Sequence, residues 1–200
     1  MFPTVAGRPP PLAMASGRAH DRATLLVALP FGLLWGPLLG GQGIALATLA
    51  FLVGGLWLSP DLDTVSRATA RWGPLRPLWW PYRRLLRHRS LLSHSPVLGS
   101  AGRLAYLLTA LALLRLIADA GPWPPLPVPP PTEWPSLGWR LWRTHPQAVL
   151  GALAGLEGSG WLHLLQDGDP LPRVPRPLRK LIGPPRRRNP RRSRSGGRKA

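Results

Sequence analysis

The 200-residue chain has no cysteine, which excludes disulfides and thiolate metal ligands alike. Acidic residues are scarce, with 8 Asp+Glu against 26 Lys+Arg and a formal net charge of +18. Charge of either sign is missing from Ala23 to Pro60, a stretch far longer than the roughly 20 apolar residues needed to cross a bilayer core. So long an uncharged run argues against a soluble domain. Without thiols, any metal site here must be built from imidazole and carboxylate.

Those two groups are not scattered. His20 with Asp21, Asp61 with Asp63, His88 with His94, and His163 with Asp167 form four short blocks; four of the chain's five histidines lie in them. Rare acids and imidazoles gathered in this way point to ligands for a cation.

The apolar segments set the architecture. Pro30 and Pro37 interrupt the uncharged run and Gly40, Gly41 and Gly43 supply a reversal, so Ala23 to Leu39 and Ile44 to Leu58 read as a helical hairpin. Gly32, Gly36 and Gly40 recur at the four-residue spacing that lets membrane helices approach closely. A third helix, Leu104 to Ala118, carries Arg115 near its end with Asp119 one turn on as its partner. A fourth, Ala148 to Leu165, has Gly151 and Gly155 four apart and Glu157 near its middle, a carboxylate that should face other helices rather than lipid. The expected fold is an all-α integral membrane bundle of about four transmembrane helices. The basic start and apolar run imitate a signal peptide, but the hydrophobic part is too long, so the first helix is expected to be retained.

Charge then orients the chain. Asp61 to Arg103 holds eight arginines and the tail from Arg173 holds twelve Lys+Arg, whereas Asp119 to Gln147 has only Arg140 and Arg143. The positive-inside rule places both termini and the central loop of a multi-pass membrane protein in the cytoplasm. All four His/Asp blocks then fall at cytoplasmic helix ends, although the topology argument made no use of them. His145 lies in the external segment and reads as a loop residue. Many of the 10 tryptophans, among them Trp57, Trp72, Trp79, Trp80, Trp123, Trp139 and Trp142, stand near helix ends, as an interfacial belt would. The seven prolines from Gly121 to Pro131 predict a stiff, extended external connector. Gly183 to Ala200, rich in Arg, Pro, Ser and Gly, has too little apolar surface to fold. Anionic lipid headgroups are the expected partners of this tail and of the basic loop; nucleic acid is disfavoured because no base-reading fold accompanies the tail. The sequence is silent on oligomeric state.

Each block has an ordinary reading beside the ligand reading. Asp61 and Asp63 could cap a helix end; His163 and Asp167, four apart on one helical face, could bond only each other. His88 and His94 would point about 120° apart on one regular helix, so a turn over Ser90 to Ser93 is needed to bring them together.

The ordered series Ser16-Gly-Arg-Ala-His20-Asp21, Pro60-Asp-Leu-Asp63, Arg71-Trp-Gly73, Pro81-Tyr-Arg83, Arg87-His-Arg-Ser-Leu-Leu-Ser-His-Ser-Pro96, Gly155-Leu-Glu157, His163 and Asp167 resembles an uncharacterised, domain-of-unknown-function family of bacterial metal-binding membrane proteins, common in cyanobacteria. It is more distantly similar to the predicted membrane-bound metal-dependent hydrolases. The resemblance implies a metal-binding domain over residues 14–168. Residues 1–13 form an extension, since Met14 to Gly17 resembles the usual start, and 169–200 form a Pro/Arg-rich tail. The His88 to His94 spacing agrees with the closer family and is one residue longer than in the hydrolases. Expected ligands are His20, Asp61, Asp63, His88, His94, His163 and Asp167, holding one or two divalent ions, Zn, Mn or Fe rather than Ca. Seven exceed one tetrahedral zinc sphere, so the site is binuclear or some of the seven are outer partners. In a hydrolase, Arg83 and Arg89 are the candidates to hold an anionic phosphoester, and Glu157 remains open as general base, proton relay or packing group. The rival functions are a non-catalytic metal sensor, chaperone or structural site, and a membrane-anchored nucleic-acid binder.

Overall fold

A computed structural model describes residues 16–86, 88–124 and 126–168. All regular structure among them is helical: α1 (Gly17–Leu34), α2 (Gly36–Leu56), a 3-10 turn (Pro60–Asp63), α3 (Arg67–Ala70), a second 3-10 turn (Gly73–Leu78), α4 (Trp79–Leu85), α5 (Leu91–His94), α6 (Leu98–Ala120), a third 3-10 turn (Pro131–Glu133), α7 (Trp134–Thr144) and α8 (Pro146–Gln166). The expected tail beyond Gly168 and the extension before Ala15 lie outside the described residues.

The bundle is built on small residues. Buried positions recur every four residues at His20, Thr24, Ala28 and Gly32 on α1, and at Gly43, Ala47 and Phe51 on α2. On α8 they recur at Gly151, Gly155, Ser159 and His163. Such stripes let backbones touch. A Cβ on Gly155 would stand 2.1 Å from the Ala47 carbonyl oxygen and 2.8 Å from the Phe51 nitrogen, so only glycine permits this approach. Large apolar side chains point the other way: Leu26, Leu34, Leu38, Leu49 and Leu153 are all more than half exposed.

The hairpin forms with its reversal at Gly40, where the glycine cluster predicts it: Gly36 packs on Ile44, Gly32 on Thr48 and Gly55 on Thr24. α1 ends at Leu34, and the break inside α2 falls at Gly40, whose φ of 60° and ψ of −167° only glycine adopts readily. Three helical segments, Gly36–Asp63, Leu98–Ala120 and Pro146–Gln166, are long and apolar enough to cross a membrane. Four were expected. The first limb fails because α1 starts with Arg18, Asp21 and Arg22, leaving too little uncharged helix before Trp35.

Two further expectations change. Trp79 is fully buried, in a core with Leu58, Leu62, Ala68 and Tyr82, rather than in an aromatic belt. Its ring meets Tyr82 edge-on at 5.4 Å and lies 5.4 Å from Tyr106, and the Tyr106 hydroxyl donates to the Leu78 carbonyl. This cluster seats the 59–90 segment on the ends of α2 and α6. The 119–147 stretch contains α7, which was not anticipated; Pro135, whose missing N–H costs nothing in a first turn, opens it. Arg115 pairs with Asp119 at 2.7 Å as expected, and also donates to the Leu126 and Val128 carbonyls, tying the proline-rich connector to the end of α6.

Candidate metal centre

Four helix ends meet at one point. Pro60 starts a 3-10 turn, capped by Ser59, in which alternate residues diverge by roughly 240°. Asp61 therefore faces α8 while Asp63 faces α5. The two-residue spacing sends two carboxylates to different partners.

α5 is a single turn reached through Arg89, whose φ of 60° swings the chain round before Ser90. The turn brings the His88 and His94 rings to 4.9 Å between centroids. On α8, His163 occupies the final turn and Asp167 the C-cap, where its N–H bonds the His163 carbonyl. α1 contributes His20, whose ring stacks on His163 at 4.1 Å.

The inner group consists of Asp61, His94, His163 and Asp167, whose ligand atoms lie within 4.8 Å of one another. His163 Nε2 is 3.5 Å from both Asp61 Oδ1 and Asp167 Oδ2, and His94 Nε2 is 3.9 Å from Asp61 Oδ1. Both Nε2 atoms are buried without a hydrogen-bond partner. Orphaned buried nitrogens are costly, and two of them converging on carboxylates at these separations are the donor set of a borderline divalent ion. The residues fit a metal, and the His/Asp group could hold one.

Around this group the other ring nitrogens are occupied. His94 Nδ1 lies 3.3 Å from Asp63 Oδ2 and 3.1 Å from Ser93 Oγ. His163 Nδ1 is 3.4 Å from Ser59 Oγ. The Asp63 carboxylate on His94 Nδ1 favours the tautomer that leaves Nε2 with its lone pair, and the Ser59 hydroxyl can accept from His163 Nδ1 in the same sense. Asp63, with a fully buried carboxylate, is also 2.9 Å from His88 Nδ1; Asp63, His88 and His94 make a second group that meets the same spacing test.

His20 sits on the Asp167 side. Its Nδ1 is 2.8 Å from Gln166 Oε1 and its Nε2 is 3.0 Å from Asp167 Oδ1. Burial lowers the His20 pKa, but Asp167 and Gln166, with Asp61 nearby, outweigh it and leave His20 above the ordinary imidazole value. Protonated, the ring donates to both oxygens. Burial likewise raises the Asp167 carboxyl, and the contact with His20 and the nearness of His163 more than reverse that, holding it below the usual range.

The structure thus gathers all seven expected ligands at one end of the bundle. The other singled-out residues lie elsewhere. Glu157 Oε1 accepts the Val97 N–H at 2.7 Å, capping α6 at a residue with φ of 62°, which is a packing role. Arg83 borders a separate surface hollow with Arg76 and Trp80. His145 is exposed at the opposite end of α8. Asp21 turns away from its neighbour His20 to pair with Arg67 and Arg71.

Sequence reasoning overlooked Arg103. This side chain is 2% exposed and donates to the Ser93 carbonyl at 2.9 Å and to Ser100 Oγ at 3.2 Å, bracing the turn that carries His94. The available signal was a lone charge just inside an apolar helix, which in a membrane segment faces protein. Ser59 and Gln166 had no signal beyond adjacency to the motifs.

No solved structure matches the chain. A protein of Aquifex aeolicus (strain VF5), described only as an uncharacterized protein, is 42% identical over 60 residues, which is 30% of this chain and 42% of that protein. The chain therefore aligns with less than half the length of this relative. A family model spans far more, residues 15–172, and takes in every one of the gathered histidines and aspartates; the chain belongs to the family described as uncharacterized metal-binding protein (DUF2227).

Proposed function

We propose that this chain is an integral membrane protein that binds one divalent ion, Zn, Mn or Fe, through Asp61, His94, His163 and Asp167. The observation that carries the reading is the pair of buried, partnerless Nε2 atoms aimed at Asp61 and Asp167. Asp63 and Ser59 hold the two ligating rings by their far nitrogens, and His20 with Gln166 holds Asp167. The outward leucines and three membrane-length helices support lipid as the surrounding medium. The basic 61–103 segment supports a cytoplasmic position for the site, with both termini on that side and anionic headgroups as neighbours.

We further propose hydrolysis of a phosphoester at the membrane surface as the activity. A divalent ion at this position supplies Lewis acidity and a more acidic water at neutral pH. The chain's own part is to fix two imidazoles in one tautomer, to keep Asp61 and Asp167 ionised, and to leave Asp61, with a 26% exposed side chain, open toward solvent. The group Asp63, His88 and His94 favours a second reading, in which two ions share His94.

Metal analysis of detergent-purified protein tests both. About one zinc per chain that disappears in His163→Ala supports the mononuclear site; two per chain, of which one disappears in His88→Ala, supports the binuclear one. Absence of bound metal at neutral pH after zinc loading and gel filtration sinks both. Turnover of phosphoesters, esters or amides that vanishes with His94→Ala separates enzyme from sensor, chaperone or structural site.

A further inference from the structure

Beside the inner group the protein forms a cavity of about 320 Å³ whose lining joins His20, Asp61 and His88 to Arg67, Arg71 and Asp21. Charged groups of α1 and of the α3 segment line it together with Asp61. Asp21 organises it. One carboxylate oxygen, Asp21 Oδ2, accepts from Arg67 Nε at 2.7 Å and from Arg71 Nη2 at 2.5 Å. Arg71 also donates from Nη1 to the Leu56 carbonyl at 2.9 Å, which fastens it to the end of α2. Two guanidiniums share the one Asp21 carboxylate, in the same wall as Asp61.

The two arginines have different freedom. The Arg71 side chain is 23% exposed and held at both terminal nitrogens, whereas Arg67, also in the cavity lining, is 53% exposed and bonded to Asp21 through Nε. A planar guanidinium presenting two N–H donors beside a metal locus matches the oxygens of a phosphoryl group better than those of a neutral ester or an amide. Arg83, in its separate hollow, has no access to this wall.

We propose that this cavity is the phosphoryl subsite of the metal centre, with Arg67 contacting the phosphoryl oxygens and Arg71 and Asp21 positioning it. The inference rests on the metal reading above and names the substrate class for it: a phosphomonoester or phosphodiester, whether soluble or the headgroup of a lipid.

The test is a calorimetric titration of the full chain in detergent micelles, zinc-loaded, with inorganic phosphate. Wild type should saturate, Arg67→Gln should bind about ten- to a hundredfold more weakly, and Arg67→Lys should recover part of the loss. Zinc content should be unchanged in both variants, and Arg83→Gln should titrate as wild type. Wild type that fails to saturate, or an Arg67→Gln variant that titrates as wild type, overturns the proposal. Failure of the metal reading appears separately, as zinc-free wild type; phosphate binding that still depends on Arg67 would then uphold the cavity, and binding independent of Arg67 would overturn it. Glycerol phosphate and nanodiscs containing phosphatidic acid form two further arms. Arg67-dependent binding of the first supports a soluble source, of the second alone a lipid one, and of neither overturns the assignment.

Discussion

The two ends of α6 obey different rules. Its first two turns bury Gly99, Ser100 and Arg103 against the His94 turn through hydrogen bonds of 2.9 and 3.2 Å. Further along, Leu108, Leu113, Leu114, Leu116 and Ile117 are each more than half exposed. One end is held by buried polar partners, and the other, beside the tie from Arg115 to Asp119 and the connector, turns its large apolar side chains outward. Stability at the metal end therefore depends on hydrogen bonds and charge, and the behaviour of the far end depends on the surrounding medium.

That contrast can be broken from either side. The largest effect is expected at the metal end, where Asp61→Ala combined with His163→Ala should reduce zinc in the purified protein to background by elemental analysis. At the far end, Leu113→Arg should cost about 2.5–3.5 kcal/mol in a membrane-insertion assay if that position lies at the centre of a bilayer, and almost nothing if it faces water. Metal content per folded chain should not change. Gly155→Leu probes the seam between these regions, and thermal or denaturant unfolding should show a loss of about 1–3 kcal/mol as α8 is forced off α2.

Asp63→Asn keeps the shape of the carboxylate and removes its charge behind His94. Competition with a chelator should report about ten- to a hundredfold weaker metal binding.

The smallest effect belongs to Asp21. Burial raises its pKa, but Arg71 and Arg67 reverse this and hold the carboxyl below its ordinary value. Because the folded value is the lower one, its stabilisation is present above the unfolded value and is lost as pH falls through the folded value. Asp21→Asn should therefore destabilise the protein at neutral pH by less than about 1 kcal/mol, with the difference from wild type vanishing in acid, as read by unfolding at several pH values.

Much of this site was legible in the order of residues along the chain. His163 and Asp167 are one helical turn apart, and Pro60 before two alternating aspartates marks a turn, so their approach needed only local geometry. The meeting of His20 with Asp167 needed the ordered series and the inference that both lie on one side of a membrane. The division between Asp61 and Asp63 was not legible, because it depends on where a 3-10 turn points after α2 has packed on α8. Arg103 was legible only as a lone charge just inside an apolar helix; its partners, the Ser93 carbonyl and Ser100 Oγ, were not. Of the fold, the helical hairpin and the glycine spacing were readable. α7 was not, because a charge-based reading of the 119–147 stretch sees a loop, whereas a proline in a first turn promotes a helix. Trp79 was assigned by position along the chain to a belt, but what surrounds it is set by α6 coming back over α4.

Gly155 lies two helical turns before His163, and Ala47 lies well before Asp61 on the opposing helix. With nothing but hydrogen between the two backbones there, α8 lies hard against α2 two turns short of His163, whose Nε2 stands 3.5 Å from Asp61 Oδ1.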